Sequence, residues 1–541
     1  MTLTNRRSFL RNSTLAASAL ALRPLVAQST QADATVTVDL ANPVGTIAPE
    51  IYSHFIEHLG GVIYDGVWVG RGSKVANVNG IRRDFIEAMR AVKAPVLRWP
   101  GGCFADSYDW RDGIGPNRPQ RAAFWSQEDS NAYGTHEFME TCRAIGCEPY
   151  LAADVRSLPA RDFYQWVEYC NSPAGTNALA TQRAANGSAA PFNVKYWGVG
   201  NESWGCGGNM TPEEYAHEWR KFTAWTPRYP DAPLKLVACG PNGDDMKWTR
   251  GLMQGIGSHR PYGLSTHYYV SGSPTKFAQG DALDFNADQH YDVLTRATVM
   301  EKIITDHWGV LAETDKDHRV KLVIDEWGAW YSKGTQIGPS YNLSQQSTMR
   351  DALLTGITLD IFQRHADKVA MANVAQSINC IHSLMLARED KFTVTPTFHV
   401  FQMYLPHRGA QSLRTTITAP AIPNPLAQTA VVGGNSTNGS IPPRAELAGL
   451  SGSASIIGKS LTLTIVNPHL SHAMTTEIRI NGAAIAAGQG TVLTRNDIHA
   501  HNDFAHPNEV HPRATTVTPR SGRLVHSFPA ASVTTLQLTL A

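Results

Sequence analysis

Eight short apolar runs, each followed by an amphipathic stretch, set the strongest limit on what this chain can fold into. They are Ile51–Glu57, Pro95–Gly101, Glu148–Val155, Val194–Glu202, Leu234–Pro241, Leu264–Val270, Lys321–Trp327 and Lys368–Gln376. All are rich in Val, Ile, Leu and aromatic residues and lack strict alternation, as parallel strands covered on both faces do. Between them, Arg82–Val92 places Phe85, Ile86, Met89 and Val92 on one helical stripe. Gly134–Ile145 and Thr211–Thr226 behave alike, and Thr211-Pro212-Glu213-Glu214 reads as a helix start. Eight strand–helix units over roughly 300 residues predict an α/β fold, a (β/α)8 barrel over residues 51–385. A doubly wound sheet that binds a nucleotide would carry a Gly-rich turn after its first strand, and none follows here.

Beyond about Leu386 the texture changes. Thr393–Ala430 is rich in Pro, Thr and Ala, and then Ser460–Val466, Thr475–Ile480 and Ser532–Leu540 alternate polar with apolar residues. That predicts a C-terminal antiparallel β-sandwich, jelly-roll-like, over residues 386–541. Ala34–Leu40 alternates in the same way, so residues 35–50 are expected to join the β domain. Ala419–Arg444 and Ser271–Asp292 read as loops.

The formal charge of the 541 residues is +1. The first 32 carry Arg6, Arg7, Arg11 and Arg23 and no acid; 47 basic residues less these four leaves 43 against 46 acidic. No basic excess is available to neutralise phosphates, which argues against nucleic acid as a partner. Asn5-Arg6-Arg7 with the weakly apolar Ser13–Leu22 reads as a twin-arginine export signal over residues 1–34. The expected location is therefore periplasmic or extracellular. No run is long and apolar enough for a membrane span. The seven cysteines (Cys103, Cys142, Cys147, Cys170, Cys206, Cys239 and Cys380) include no CxxC pair. Export after folding predicts mostly free, buried thiols.

In such a barrel, active residues collect at the C-terminal ends of the strands. Here the runs end in Glu57-His58, Arg98 to Cys103, Asn201-Glu202, His267 to Tyr269, Glu326 and Gln376. Glu202 and Glu326 both close apolar runs and both have tryptophan neighbours. An ionisable carboxyl there is costly unless paired or used. Two facing carboxyls are the usual means of cleaving a glycosidic bond. Desolvation by Trp197 and Trp204 is expected to raise the Glu202 pKa. Asp325 is expected to point to the opposite face of the strand from Glu326.

The stretches SHFIEHLGG (53–61), LRWPGGCFADSYDWRDGIGP (97–116), YGTHEFMETCRAIGCEPYLAADV (133–155), YWGVGNESWGCGG (196–208), STHYYV (265–270), VIDEWGAWY (323–331) and MANVAQSIN (371–379), with HNDFAHPNEVHP (501–512), span nearly the whole chain. In content and order they resemble glycoside hydrolase family 51, the α-L-arabinofuranosidases. The resemblance implies that Glu202 is the acid/base and Glu326 the nucleophile of a retaining double displacement. It implies that Glu57, Arg98, Cys103, Asn201, His267, Tyr269, Trp330 and Gln376 bind the furanose or orient the carboxyls. Tyr268 adjoins Tyr269, so the motif alone does not separate them. The expected action is release of terminal non-reducing α-L-arabinofuranosyl residues from arabinan, arabinoxylan or arabino-oligosaccharides. No cofactor and no metal is implied. Family members are often oligomeric, so a homo-oligomer is an open expectation.

Three other readings compete. The Asn-Glu and Glu strand ends also occur in retaining endo-xylanases and endoglucanases. His54, Glu57 and His58 spell the H-x-x-E-H of one zinc metallopeptidase class, but Gly60-Gly61 follow at once and the stretch reads as strand and loop. A non-catalytic carbohydrate-binding protein needs neither glutamate.

Overall fold

The computed structural model describes residues 32–125, 128–271, 280–331, 341–427 and 444–541. Nearly all of the expected export segment lies outside the described residues, as do 272–279 of the Ser271–Asp292 loop and 428–443 of the Ala419–Arg444 loop.

Eight strands close a barrel in chain order: Ser53–Phe55, Val96–Trp99, Glu148–Ala153, Tyr196–Val199, Lys235–Ala238, Gly263–Val270, Lys321–Ala329 and Val369–Val374. Each falls within or across one of the eight apolar runs, and every neighbouring pair is parallel. Both faces of these strands are covered. Val96, Tyr150, Tyr196, Val237, Val323 and Met371 fill the barrel interior. Outward residues such as Trp99, Trp197 and Leu264 pack in the larger cluster beneath the helices. That two-sided burial is why the runs show no polar–apolar alternation.

The helices follow their stripes with trimmed ends. Arg83–Ala91 buries Phe85, Ile86 and Met89. Pro212–Thr223 starts where Thr211 and Glu214 form a capping box. It stops short of Thr226, because Thr226 precedes Pro227 and the residue before proline is pushed out of helical geometry. Among the described helices, none is long and apolar enough to cross a membrane.

The second unit is a sheet of nine strands. Its order is Arg513–Thr515, Ile485–Thr494, Ser532–Leu540, Ser460–Asn467, Ser451–Ile457, Gln411–Thr418, Ala34–Thr46, Met474–Asn481 and Leu524–Phe528. Residues from both ends of that order, Leu463 and Leu538 with Ile478 and Phe528, share one apolar core, as in a β-sandwich. The N-terminal strand lies inside the sheet, antiparallel to Gln411–Thr418 but parallel to Met474–Asn481. That parallel pair departs from the expected all-antiparallel arrangement. It is possible because the whole barrel forms the crossover between the two strands. The Pro- and Thr-rich region also holds the helix Pro396–Met403, whose Phe398, Val400 and Phe401 pack in the barrel's cluster.

The helix Met349–Arg364 joins the two units and is buried from Met349 through Gln363. Its Asp360 faces the β domain, where Ser453 Oγ (2.9 Å) and Thr464 Oγ1 (2.5 Å) both donate to Oδ1. Oδ2 has no partner, and burial pushes the carboxyl up to about 7. The folded protein therefore holds a proton that the unfolded chain releases above its ordinary value of 3.8. Stability from this group is full below that value and falls by about 1.4 kcal/mol per pH unit until the folded value is passed. Asp360→Asn is expected to remove this dependence. Thermal unfolding between pH 5 and 7 should show a midpoint falling by a few degrees (roughly, from) in the parent chain and a flatter profile in the variant.

Candidate active site

The polar strand ends converge at the C-terminal mouth of the barrel. Arg98, in the second barrel strand, donates from Nη1 to Glu326 Oε1 (2.8 Å) and from Nη2 to Asn201 Oδ1 (2.6 Å). Its guanidinium also lies 4.4 Å from the centre of the Phe55 ring. Tyr269, at the end of the sixth strand, donates its hydroxyl to Glu326 Oε2 (2.8 Å). Tyr268 points elsewhere and donates to the Arg296 carbonyl (2.8 Å). Trp330 meets the Tyr269 ring edge to face at 5.2 Å.

His267 joins the two candidate catalytic carboxyls. Its Nδ1 lies 2.9 Å from Glu202 Oε1 and 3.5 Å from Glu326 Oε2. The three groups offer atoms that all lie within 4.8 Å of one another. Burial alone would push Glu326 up. His267, Arg98 and the hydrogen bonds from Arg98 and Tyr269 outweigh it and hold this carboxyl below the usual range. Burial raises Glu202, the negative charge of Glu326 adds to the rise, and His267 offsets only part of it. His267 is itself raised: the two carboxylates overcome its desolvation. Neighbouring carboxyls with pKa values pushed apart are what separate acid from nucleophile duties require.

Glu202 follows the fourth strand at φ 42°, a left-handed conformation that costs a non-glycine residue about 1–3 kcal/mol. A tight turn holds it there, with Gly205 N (2.7 Å) and Gly207 N (3.0 Å) both donating to the Glu202 carbonyl. Gly207 is required for this turn, since a Cβ there would collide with the Asn201 carbonyl. Asn201 N donates to Asp106 Oδ2 (3.0 Å), while Asn201 Nδ2 is buried with no partner.

Glu57 forms a second carboxyl station. Its Oε1 accepts from Trp125 Nε1 (2.9 Å) and Phe104 N (3.1 Å), and its Oε2 from Gln376 Nε2 (3.1 Å). Gln376 Oε1 accepts in turn from Glu57 N (3.0 Å). Burial, reinforced by Glu326, pushes Glu57 up to about 7. A Cβ on Gly102 would stand 2.7 Å from Glu57 Oε2, so the loop after the second strand can approach only as glycine.

Two expectations need correction. Asp325 does not turn away from Glu326. Ser265 pairs with Val323 and His267 with Glu326, so three residue steps of the seventh strand oppose two of the sixth. This bulge breaks the alternation and brings Asp325 Oδ2 to 3.9 Å from Arg98 Nε, where it accepts from Tyr150 OH (2.8 Å). Trp197 does not desolvate Glu202, because its ring packs outward against Phe163 and Trp166. Most of the cysteines are free, as expected, but Cys103 and Cys206 form a disulfide spanning 103 residues, with Cα atoms 5.6 Å apart. Of the other cysteines, Cys142, Cys170, Cys239 and Cys380 are free and buried, and Cys147 is free and half-buried. The histidines of the H-x-x-E-H string do not converge. His58 Nδ1 bonds Asp129 Oδ2 (2.6 Å) and its Nε2 accepts from Trp99 Nε1 (3.0 Å). His54 is buried against Phe401, and burial pushes it down to about 3.

Asp106, Trp125 and Cys206 escaped the sequence reading. Asp106 ties Asn201 N to Val155 N (3.0 Å each) from inside a quoted motif. Trp125 reaches Glu57 from a loop that carries no strand-end signal.

The pattern of the alpha-L-arabinofuranosidase 1 domain matches residues 88–286, and that of the alpha-L-arabinofuranosidase C-terminal domain matches 325–532. The chain is 37% identical over 524 residues to an intracellular exo-alpha-L-arabinofuranosidase of Bacteroides ovatus, covering 95% of this chain and 97% of the relative. The crystal structure of the GH51 arabinofuranosidase from Xanthomonas axonopodis pv. citri superposes with a TM-score of 0.87 at 34% identity, over 94% of this chain and all of that one. An alpha-L-arabinofuranosidase from Thermotoga maritima in an arabinose complex gives 0.77 at 30% identity, over 94% and 100% of the two chains. The intracellular description of the Bacteroides relative overturns the expected export to the periplasm or beyond. That expectation rested on arginines before a short, weakly apolar run, a pattern of composition that needs no export machinery to arise. Matched in both halves by these patterns and nearly end to end by the Bacteroides relative, the chain belongs to glycoside hydrolase family 51, the α-L-arabinofuranosidases.

Proposed function

We propose that the protein releases terminal non-reducing α-L-arabinofuranosyl residues from arabinose-bearing saccharides with retention of configuration. The observation that carries this reading is the pair Glu202 and Glu326, bridged by His267, with facing oxygens within 4.8 Å and pKa values pushed in opposite directions. Retaining pairs lie about 5–5.5 Å apart, whereas inverting pairs need roughly 6.5–9.5 Å to admit a water.

In this mechanism Glu326 attacks the anomeric carbon and forms an arabinosyl ester, while Glu202 gives its proton to the leaving oxygen. Glu202 then takes a proton from the water that opens the ester. Arg98 and Tyr269 keep Glu326 ionised and aimed. The unpartnered Asn201 Nδ2 donates to a sugar hydroxyl, Glu57 and Gln376 receive others, and Trp330 lines the furanose. The reading takes residues 51–385 as the catalytic barrel, with 35–50 and 386–541 as its β support; the closed barrel and the separate β core favour it.

The test is proton NMR of the first-formed product from an aryl α-L-arabinofuranoside, with aryl β-D-xylopyranoside and β-D-glucopyranoside as competitors. The expected result is α-arabinose first and a kcat/KM at least about 100-fold above the pyranosides, the scale set by losing hydrogen-bonded fit. A β-anomer as first product, or equal turnover of a pyranoside, refutes the reading.

A further inference from the structure

The disulfide lies directly against the acid/base candidate. Cys206 Sγ is 3.4 Å and Cys103 Sγ 3.7 Å from Glu202 Oε2. With each sulfur bonded to the other, neither carries a hydrogen to donate. These are van der Waals contacts of a carboxyl oxygen on a polarisable, apolar wall. The other oxygen, Oε1, is taken by His267. Oε2 is therefore the oxygen left to hold the proton that the leaving group needs.

The covalent link also joins two parts of the site. Cys206 sits within the tight turn that holds Glu202 at positive φ. Cys103 lies in the loop after the second strand, next to Phe104, whose N–H holds Glu57. The sulfur pair is no metal site in this form, since both sulfurs are used in the bond between them.

We infer that the Cys103–Cys206 disulfide is a positioning element for catalysis: a donor-free wall that fixes Glu202 Oε2 and keeps it available to protonate the leaving oxygen. The inference rests on Glu202 being the acid/base. Opening the bond changes the wall in two ways. A phosphine reductant becomes its oxide with an oxygen from water, and the S–S bond takes up two electrons and two protons to give two thiols. Each thiol is then a donor facing Oε2. Donors to the charged form favour it, so Glu202 holds its proton less firmly, and the turn loses its tether.

The experiment compares three forms of the full chain on aryl α-L-arabinofuranosides of graded leaving-group acidity: the oxidised enzyme, the same enzyme after phosphine treatment, and C103S/C206S. Mass spectrometry after alkylation scores the bond in each. For poor leaving groups, opening the bond is expected to lower kcat/KM by about 10–100-fold, within the range of general-acid catalysis. The loss on a dinitrophenyl substrate, which needs no acid, should be at least about tenfold smaller, any lost furanose contact of Cys103 weighing on all substrates alike. The basic limb of the pH profile should move to lower pH, and reoxidation should restore it. If the double variant does not fold, the phosphine-treated enzyme carries the comparison alone. An equal loss on every substrate with an unmoved pH profile overturns the inference, leaving a purely structural cross-link. So does finding Cys103 and Cys206 as free thiols in fully active enzyme. Glu202→Ala is the reference: if it shows no leaving-group dependence, the acid/base reading falls and this inference with it. A steep dependence for Glu202→Ala with a flat one for the reduced enzyme overturns the disulfide's part alone.

Discussion

Glu326→Ala is expected to lower kcat on an aryl α-L-arabinofuranoside by at least about 10⁴-fold, the scale of removing a nucleophile. The carboxylate accepts from Arg98 and Tyr269 and lies beside His267. Its loss leaves two donors aimed at a small cavity beneath the anomeric carbon. Azide fits such a cavity and carries the missing charge. Added azide should restore turnover and yield the β-arabinosyl azide, inverted because only one displacement occurs. The variant should also change its neighbour. Glu326 is one of the groups that raise Glu202, so without azide the Glu202 carboxyl, followed by NMR, should titrate lower than in the parent enzyme, and bound azide should move it back up. A variant that keeps more than about a hundredth of the parental kcat without azide would place the nucleophile elsewhere.

Glu202→Ala is expected to cost about 10²–10⁴-fold in kcat/KM on substrates with poor leaving groups, and far less on a dinitrophenyl glycoside. In the parent enzyme, kcat/KM is expected to fall as pH drops through the lowered pKa of Glu326, which this assignment needs ionised. It should fall again as pH rises through the raised pKa of Glu202, which the assignment needs protonated. Losing Glu202 removes the second fall, so the bell becomes a plateau on the alkaline side. Azide should again rescue, here with a retained product, because the arabinosyl ester on Glu326 still forms and azide opens it. An unchanged bell, or a loss equal for all leaving groups, would sink the assignment.

The barrel was legible because its strands are parallel and covered on both faces. Lys321–Ala329 and Gly263–Val270 could not be written with exposed polar residues in alternation, so unbroken apolar runs marked them. The carboxyls were legible because polar residues closing such runs stand out. What was hidden depends on register and on distant meetings. The bulge that turns Asp325 and Glu326 toward Arg98 leaves no trace in composition. The disulfide joins residues 103 positions apart from loops after different strands, and no local spacing announces it. Trp125 reaches Glu57 only because the loop after the second strand folds back over the mouth. The helix Pro396–Met403 is masked by a Pro- and Thr-rich setting that reads as loop, though Pro396 at a first helical turn is well placed.

The strand Ala34–Thr46 leaves the ribosome before the barrel does, yet its two partners are Gln411–Thr418 and Met474–Asn481, which follow the barrel. The barrel lies wholly between these segments in sequence and can assemble during synthesis. This strand must wait, unpaired along both edges, until the segments beyond the barrel are made. The nascent chain therefore carries an open β template while the barrel is made, and how quickly the 365 residues from Thr46 to Gln411 are delivered (about 20–70 seconds at typical rates) sets how long its first edge needs shielding.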